Sequence, residues 1–255
     1  MRRITRLLSI TICLLSVLSG LAGAAGVQEK TADEHYLMGN AYYSFGLAEN
    51  ATREYRQAVG MNPKFSDAWN NLGLSLTAQE KYKEARDALE NATQLNPQDP
   101  EGWYNLGYAY GMLGNNTEEL SAYDRALQLR PNMTVAWRNI GVVRYEQGNY
   151  SGSVWALEKA TTYDPETAIG WYYLGTAYEK TGNLTGASAV FKKAITMDQN
   201  LTMAKDRLAA VERNLTGDMN ATHTSSPVSD KKTPLQALTG IFALFGATSL
   251  ISLRQ

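Results

Sequence analysis

Trp69, Trp103, Trp137 and Trp171 stand at successive steps of 34 residues. Gly73, Gly107, Gly141 and Gly175 keep the same step, and so do Ala92, Ala126, Ala160 and Ala194. Pro63, Pro97, Pro131 and Pro165 follow at the same interval. One step before Trp69 stands His35, followed in phase by Met38, Gly39, Tyr42, Ala51, Tyr55 and Ala58. Within one unit, Trp103, Leu106, Gly107 and Tyr110 fall at i, i+3, i+4 and i+7, one face of a helix. Ala122, Tyr123, Ala126 and Leu127 make a second apolar stripe. Gly114-Asn115 supplies a turn between them, and the proline after each second helix resists its continuation. The Gly and Ala positions let two helix backbones approach closely. Neither helix buries its face alone, so the units must stack.

The motif W-x-x-L-G-x-x-Y, followed by a small residue, an aromatic, Ala and Pro at a 34-residue period, is similar to the tetratricopeptide repeat family. The resemblance covers five units: 32–65, 66–99, 100–133, 134–167 and 168–201. It implies an all-α fold, an α-α superhelical solenoid of five helix pairs. Residues 202–215 read as a C-terminal capping helix, with Ala204, Leu208 and Val211 inward and charged residues outward. The units depart from the pattern in places. His35 replaces Trp in the first, as suits a terminal unit. Glu119 holds a slot for a small residue in the third, where the second helix is expected to rotate or to pack less tightly. Arg144 and Ser153 stand in the Tyr and small slots of the fourth. Gln199 replaces Pro after the fifth, which leaves the chain direction there less constrained.

Residues 1–25 read as a signal peptide. Arg2, Arg3 and Arg6 precede an apolar run, and Ala22-Gly23-Ala24 supplies small residues for cleavage. An uncleaved signal anchor is the alternative. Cys13, the one cysteine, lies mid-way in the apolar run, so cysteine usage does not identify a compartment. Residues 216–234 read as a disordered linker rich in Ser and Thr. The uncharged stretch 235–253 is just long enough to span a bilayer, with Lys231 and Lys232 before it and Arg254 after. A transmembrane anchor, a cleaved sorting tail resembling those of archaeal surface proteins, and a lipid-anchor signal are the three readings of it.

Nine Asn-x-Ser/Thr sequons begin at Asn50, Asn91, Asn115, Asn132, Asn149, Asn183, Asn200, Asn214 and Asn220. That is several times the number chance gives. Asn115, Asn149 and Asn183 share the turn after Gly114, Gly148 and Gly182. Turns accept a glycan without disturbing a core, so glycosylation is expected if the chain is exported. A leader, sequons and an apolar tail together describe a cell-surface protein held at a membrane with its repeats outside the cytoplasm.

The resemblance also implies a groove lined by the first helix of each unit. The family's inward positions fall here on Tyr36, Asn40, Asn70, Leu74, Glu101, Tyr104, Tyr108, Arg138, Val142, Tyr172 and Thr176, with Tyr43 and Tyr145 at the rim. Tyrosine offers apolar area with a polar tip, a good recognition surface. Family members that hold a C-terminal carboxylate use Lys, Asn and Arg. Here Asn40 and Asn71 match, but Tyr36, Glu101 and Asn105 stand where the cations belong. The expected partner is a protein or peptide in the groove. A carbohydrate-binding or enzyme-accessory surface protein is the alternative. On this reading Tyr104 and Tyr108 lie off the stacking interface, whereas Leu106 is core. A formal net charge of −1 without a basic stripe argues against nucleic acid. No catalytic, metal-binding or cofactor motif is present.

Overall fold

The computed structural model describes residues 30–217, which form eleven α-helices and no strand. They are α1 (Ala32–Ser44), α2 (Ala48–Met61), α3 (Ser66–Thr77), α4 (Tyr82–Leu95), α5 (Pro100–Met112), α6 (Asn116–Leu129), α7 (Thr134–Glu146), α8 (Tyr150–Tyr163), α9 (Ala168–Lys180), α10 (Leu184–Met197) and α11 (Thr202–Thr216). The first ten make five antiparallel pairs, one to each 34-residue unit, and α11 packs on α10 and α9. The fold is an all-α repeat solenoid. The leader 1–25, the tail 235–253, Asn220 and nearly all of the linker lie outside the described residues. At the linker's start, Thr216 still belongs to α11, and Gly217 caps it at φ 67°.

Each pair closes on one contact. A Cβ placed on Gly39, Gly73, Gly107, Gly141 or Gly175 would lie 2.5, 2.4, 2.7, 2.5 or 2.5 Å from Tyr55, Leu89, Tyr123, Leu157 or Phe191. The absent side chain of the first helix is the socket for the large side chain of the second. Tyr55, Leu89, Tyr123, Leu157 and Phe191 are accordingly buried. The third pair keeps this contact despite Glu119, so α6 is not driven away from α5. Room for the carboxylate comes from Gly111, where a Cβ would stand 2.5 Å from the Glu119 carboxyl carbon. The equivalent residues of the other units are Tyr43, Thr77, Tyr145 and Glu179.

The turn inside each pair needs one residue in the left-handed region. Gly114 takes φ 77°, and its N–H and that of Asn115 donate to the Gly111 and Tyr110 carbonyls. In the second unit Glu80 holds this position at φ 60°, which costs an L-residue about 1–2 kcal/mol. Between units the tryptophans do more than fill space. The indole N–H groups of Trp69, Trp103, Trp137 and Trp171 donate to the carbonyls of Pro63, Pro97, Pro131 and Pro165 at 2.7 to 3.0 Å. The turn after the fifth unit keeps its form without proline. Leu201 N–H donates to the Asp198 carbonyl as Met133 N–H does to that of Arg130, so Gln199 does not loosen the chain there.

The departures elsewhere are also absorbed. His35 Nδ1 pairs with Glu54 Oε2 at 2.8 Å across the first pair. Ser153 Oγ donates to the Gly141 carbonyl at 2.7 Å. Arg144 lies over the Trp155 ring at 5.4 Å.

The socket contact makes a prediction. Gly141→Ala would drive a methyl into the Leu157 side chain and should destabilise the array by about 1–3 kcal/mol. Gly60→Ala, with no heavy atom within 4 Å of its Cβ, should instead stabilise α2 by up to about 1 kcal/mol. Urea unfolding of the two variants tests the pair.

Candidate functional site

The first helices of units one and two, two and three, and four and five pack on one another, and α5 and α7 pack less closely. Their exposed sides form the candidate binding face. Its eleven expected residues divide in two. Tyr36, Asn40, Asn70, Leu74, Glu101, Tyr104 and Tyr108 are half-buried. Arg138, Val142, Tyr172 and Thr176 are buried. The rings of Tyr172 and Tyr173 pack 5.5 Å apart and, with Val142, join the core of the last two units. The capping helix adds Arg207, whose guanidinium lies beside Tyr172 and bonds to Glu179 at 3.3 Å. The accessible face therefore runs over units one to three and ends at unit four.

Much of the polar chemistry on this face is already engaged in stacking. Asn71 Nδ2 donates to Tyr36 Oη at 3.4 Å, Asn105 Nδ2 to Asn70 Oδ1 at 3.0 Å, and Asn139 Nδ2 to Tyr104 Oη at 3.5 Å. Each bond reaches back 35 residues, so an asparagine of one unit ties to the face residue of the unit before it. Asn71 also donates to Asn40 Oδ1 at 2.8 Å, and Tyr55 Oη donates to that same oxygen. Glu101 is held in an ion pair with Arg130. Asn139 is no part of the expected face, and Asn105 enters it only as a mismatch to the carboxylate-holding positions. Their signal in the sequence is the 34-residue step from Asn71 to Asn105 to Asn139.

Tyr104 corrects the sequence reading. Its ring packs 5.6 Å from the buried Tyr123 ring and against the core of units three and four. It is a packing residue with one accessible side. Burial pushes its phenol up, and the Arg138 charge beside it pulls the other way. Tyr108 is freer: no hydrogen bond holds its hydroxyl among the described residues. Burial, then Tyr82 and Tyr104, push its phenol up to about 12, so it remains a donor at neutral pH.

Beside Tyr108 lies a cavity of about 20 Å³, open on one side. Of its lining residues, Tyr108, Met112 and Glu146 are accessible, whereas Glu119, Asn139 and Val142 are buried. Glu119 is 6% exposed and Asn139 4%. Burial is the main cause that pushes the Glu119 carboxyl up to about 7, and Glu146 adds to it, while a hydrogen bond from Tyr123 opposes both.

Eight sequon asparagines are described. Asn132 lies in a turn between units, and Asn200 in the turn that leads into α11. Asn115, Asn149 and Asn183 stand at helix N-caps, where Asn149 and Asn183 accept from Gly152 and Gly186 N–H at 3.0 Å. Asn50, Asn91 and Asn214 lie within helices rather than in turns. Asn91 and Asn214 are exposed there. Among the described residues no helix is long and apolar enough to cross a membrane, and no cluster of side chains could hold a metal ion.

Models described as tetratricopeptide repeat match residues 35–65 and 100–133, and residues 138–201. A TPR repeat model matches residues 73–114. An uncharacterized protein of Haemophilus influenzae is 40% identical over 58 residues, 23% of this chain and 32% of that protein. The match thus spans about a third of that relative's length. The crystal structure of MamA superposes with a TM-score of 0.60 at 24% identity, covering 64% of this chain and 95% of that one. The structure titled "YrrB: a TPR protein with an unusual peptide-binding site" superposes with a TM-score of 0.59 at 24% identity, covering 68% of this chain and 89% of that one.

The raised Glu119 carboxyl generates the prediction here. Its folded value, about 7, exceeds the ordinary 4.5. The folded state therefore binds the extra proton between those values, and this group's contribution is full below pH 4.5. It is lost as pH rises through 7, by on the order of 3 kcal/mol at pH 8. Glu119→Gln should be more stable than the wild type at pH 8 and no more stable at pH 4.5. Urea melts of both proteins at the two pH values measure the difference.

Proposed function

We propose, for a chain that belongs to the tetratricopeptide repeat family, that the first-helix face of units one to three receives an extended peptide or a helix of a protein partner. The protein is a binding scaffold and has no catalytic role. The observation that carries this reading is the division of the face: its first seven expected residues are accessible, and the last four are buried. Tyr36 and Tyr108 bracket the open part. Both are aromatic anchors that bury much area with few rotatable bonds. That a repeat solenoid of similar fold is titled with a peptide-binding site supports the assignment by analogy.

The scaffold's setting rests on the termini and the sequons. On our reading the basic apolar leader 1–25 directs export, the stretch 235–253 holds the chain at a membrane, and exposed sequons such as Asn91, Asn132 and Asn200 carry glycan. The repeats then face the outside of the cell. Glycans on helix surfaces and turns leave the first-helix face open.

Two measurements test this. Peptide arrays probed with the detergent-solubilised full chain should yield ligands, and Tyr108→Ala should weaken them tenfold or more, about 1.4 kcal/mol. Trp155→Ala on α8, away from the face, should leave binding unchanged. Equal loss from both variants, or capture of glycans and no peptide, would overturn the peptide reading. Deletion of residues 235–255 should release the protein from membranes in the cells that make it, and the released protein should exceed its sequence mass through glycan. Membrane association that survives the deletion rules out the tail as anchor.

A further inference from the structure

Two buried side-chain atoms among the described residues have no hydrogen-bond partner: Glu119 Oε2 and Asn139 Oδ1. Both residues line the same small cavity at the joint of units three and four. Both atoms are acceptors, so what is missing is a donor. The cavity has room for about one water-sized group. A guanidinium is too large for it, whereas an ammonium head fits. Its accessible lining residues Tyr108 and Met112, with Val142 behind them, suit an aliphatic stem.

We propose that this cavity is a receptor for the ε-ammonium group of a lysine in the bound peptide, with Glu119 and Asn139 as its acceptors. The inference rests on the peptide reading of the face and adds the chemistry of one ligand side chain. Charge decides between a water and an ammonium. A water satisfies both acceptors and leaves the carboxylate uncompensated; an ammonium supplies donors and charge together, and such charge-assisted bonds are about twice as strong as neutral ones. The groups that act on the Glu119 carboxyl are Tyr123 on its own helix and Glu146 of α7, and neither is a cation. From α5, Tyr108 lines the same cavity, and Tyr104 senses both Glu119 and Arg138. The burial that pushes the Glu119 carboxyl up to about 7 is the deficit that a bound ammonium relieves. Gly111 is part of the device, because any side chain there would displace the carboxylate.

Methyl NMR of the detergent-solubilised full chain, labelled on methionine, tests the site apart from any peptide. Met112 lines the cavity, and Met112→Leu identifies its signal. At pH 8, n-butylammonium chloride, the side-chain analogue of lysine, should shift that signal saturably. Tetramethylammonium, which has no N–H, and 1-butanol, which has no charge, should not. The affinity should fall at least tenfold at pH 5, where Glu119 is protonated, and at least tenfold in Glu119→Gln. No shift with butylammonium would mean that the Asn139 amide turns over and donates to Glu119 itself, and would overturn the proposal. An equal response to 1-butanol, or an undiminished one in Glu119→Gln together with no pH dependence, would overturn it too. A lysine-free peptide that binds through Tyr108 would keep the peptide reading while butylammonium alone decides the receptor.

Discussion

Everything in this array depends on a missing side chain. At Gly39, Gly73, Gly107, Gly141 and Gly175 the first helix of a pair presents bare backbone, and a Tyr, Leu or Phe of the second helix fills the space at a distance no Cβ could share. That contact joins the two helices at the same pair of positions in every unit, and neighbouring units repeat the same interactions around it. The tryptophan indoles then all reach a proline carbonyl six residues earlier, and three asparagines all reach back 35 residues. Each of these bonds is modest on its own, about 0.5–1.5 kcal/mol net. Their register, rather than their individual strength, holds a stack in which each unit touches only its neighbours.

The joint between units three and four is where this regularity bends. Glu119 occupies a slot that in the other units holds Ala51, Ala85, Ser153 and Ala187. It fits because Gly111 faces it. At this joint Asn139 divides its amide between Tyr104 and the buried Tyr123, as Asn71 does between Tyr36 and Asn40. A cavity and two unpartnered acceptors result. A buried carboxylate is costly, and a solenoid has no stability to give away at one joint without weakening the whole. The cavity sits at the inner end of the open face, beside Tyr108.

Much of the fold was legible in the sequence, and the reasons can be named. Trp103, Leu106, Gly107 and Tyr110 lie on one helical face by spacing alone, and the 34-residue step shows that the face recurs. Less was legible of the site. Arg138, Val142, Tyr172 and Thr176 hold the same phase as Tyr104 and Tyr108 yet are buried; Tyr172 packs against Tyr173 and lies beside Arg207 of the capping helix, which the period does not describe. Tyr104 reads as a free ring, yet it leans on Tyr123 nineteen residues further along and one helix away. Glu80 gives no sign of its left-handed turn except that glycine stands there in the other units.

The sequence by itself determined the unit, its helices, their facing sides and their number. These follow from local periodicity, where a residue's neighbours on the helix are fixed by counting. Tertiary structure alone decided which face residues stay open, which asparagines are spent between units, and that one oxygen of a buried carboxylate has no partner. Those outcomes depend on distances between side chains from different helices. Spacing in the chain gives no such distance, because a shift of a few tenths of an ångström at a glycine contact separates a satisfied hydrogen bond from an empty cavity.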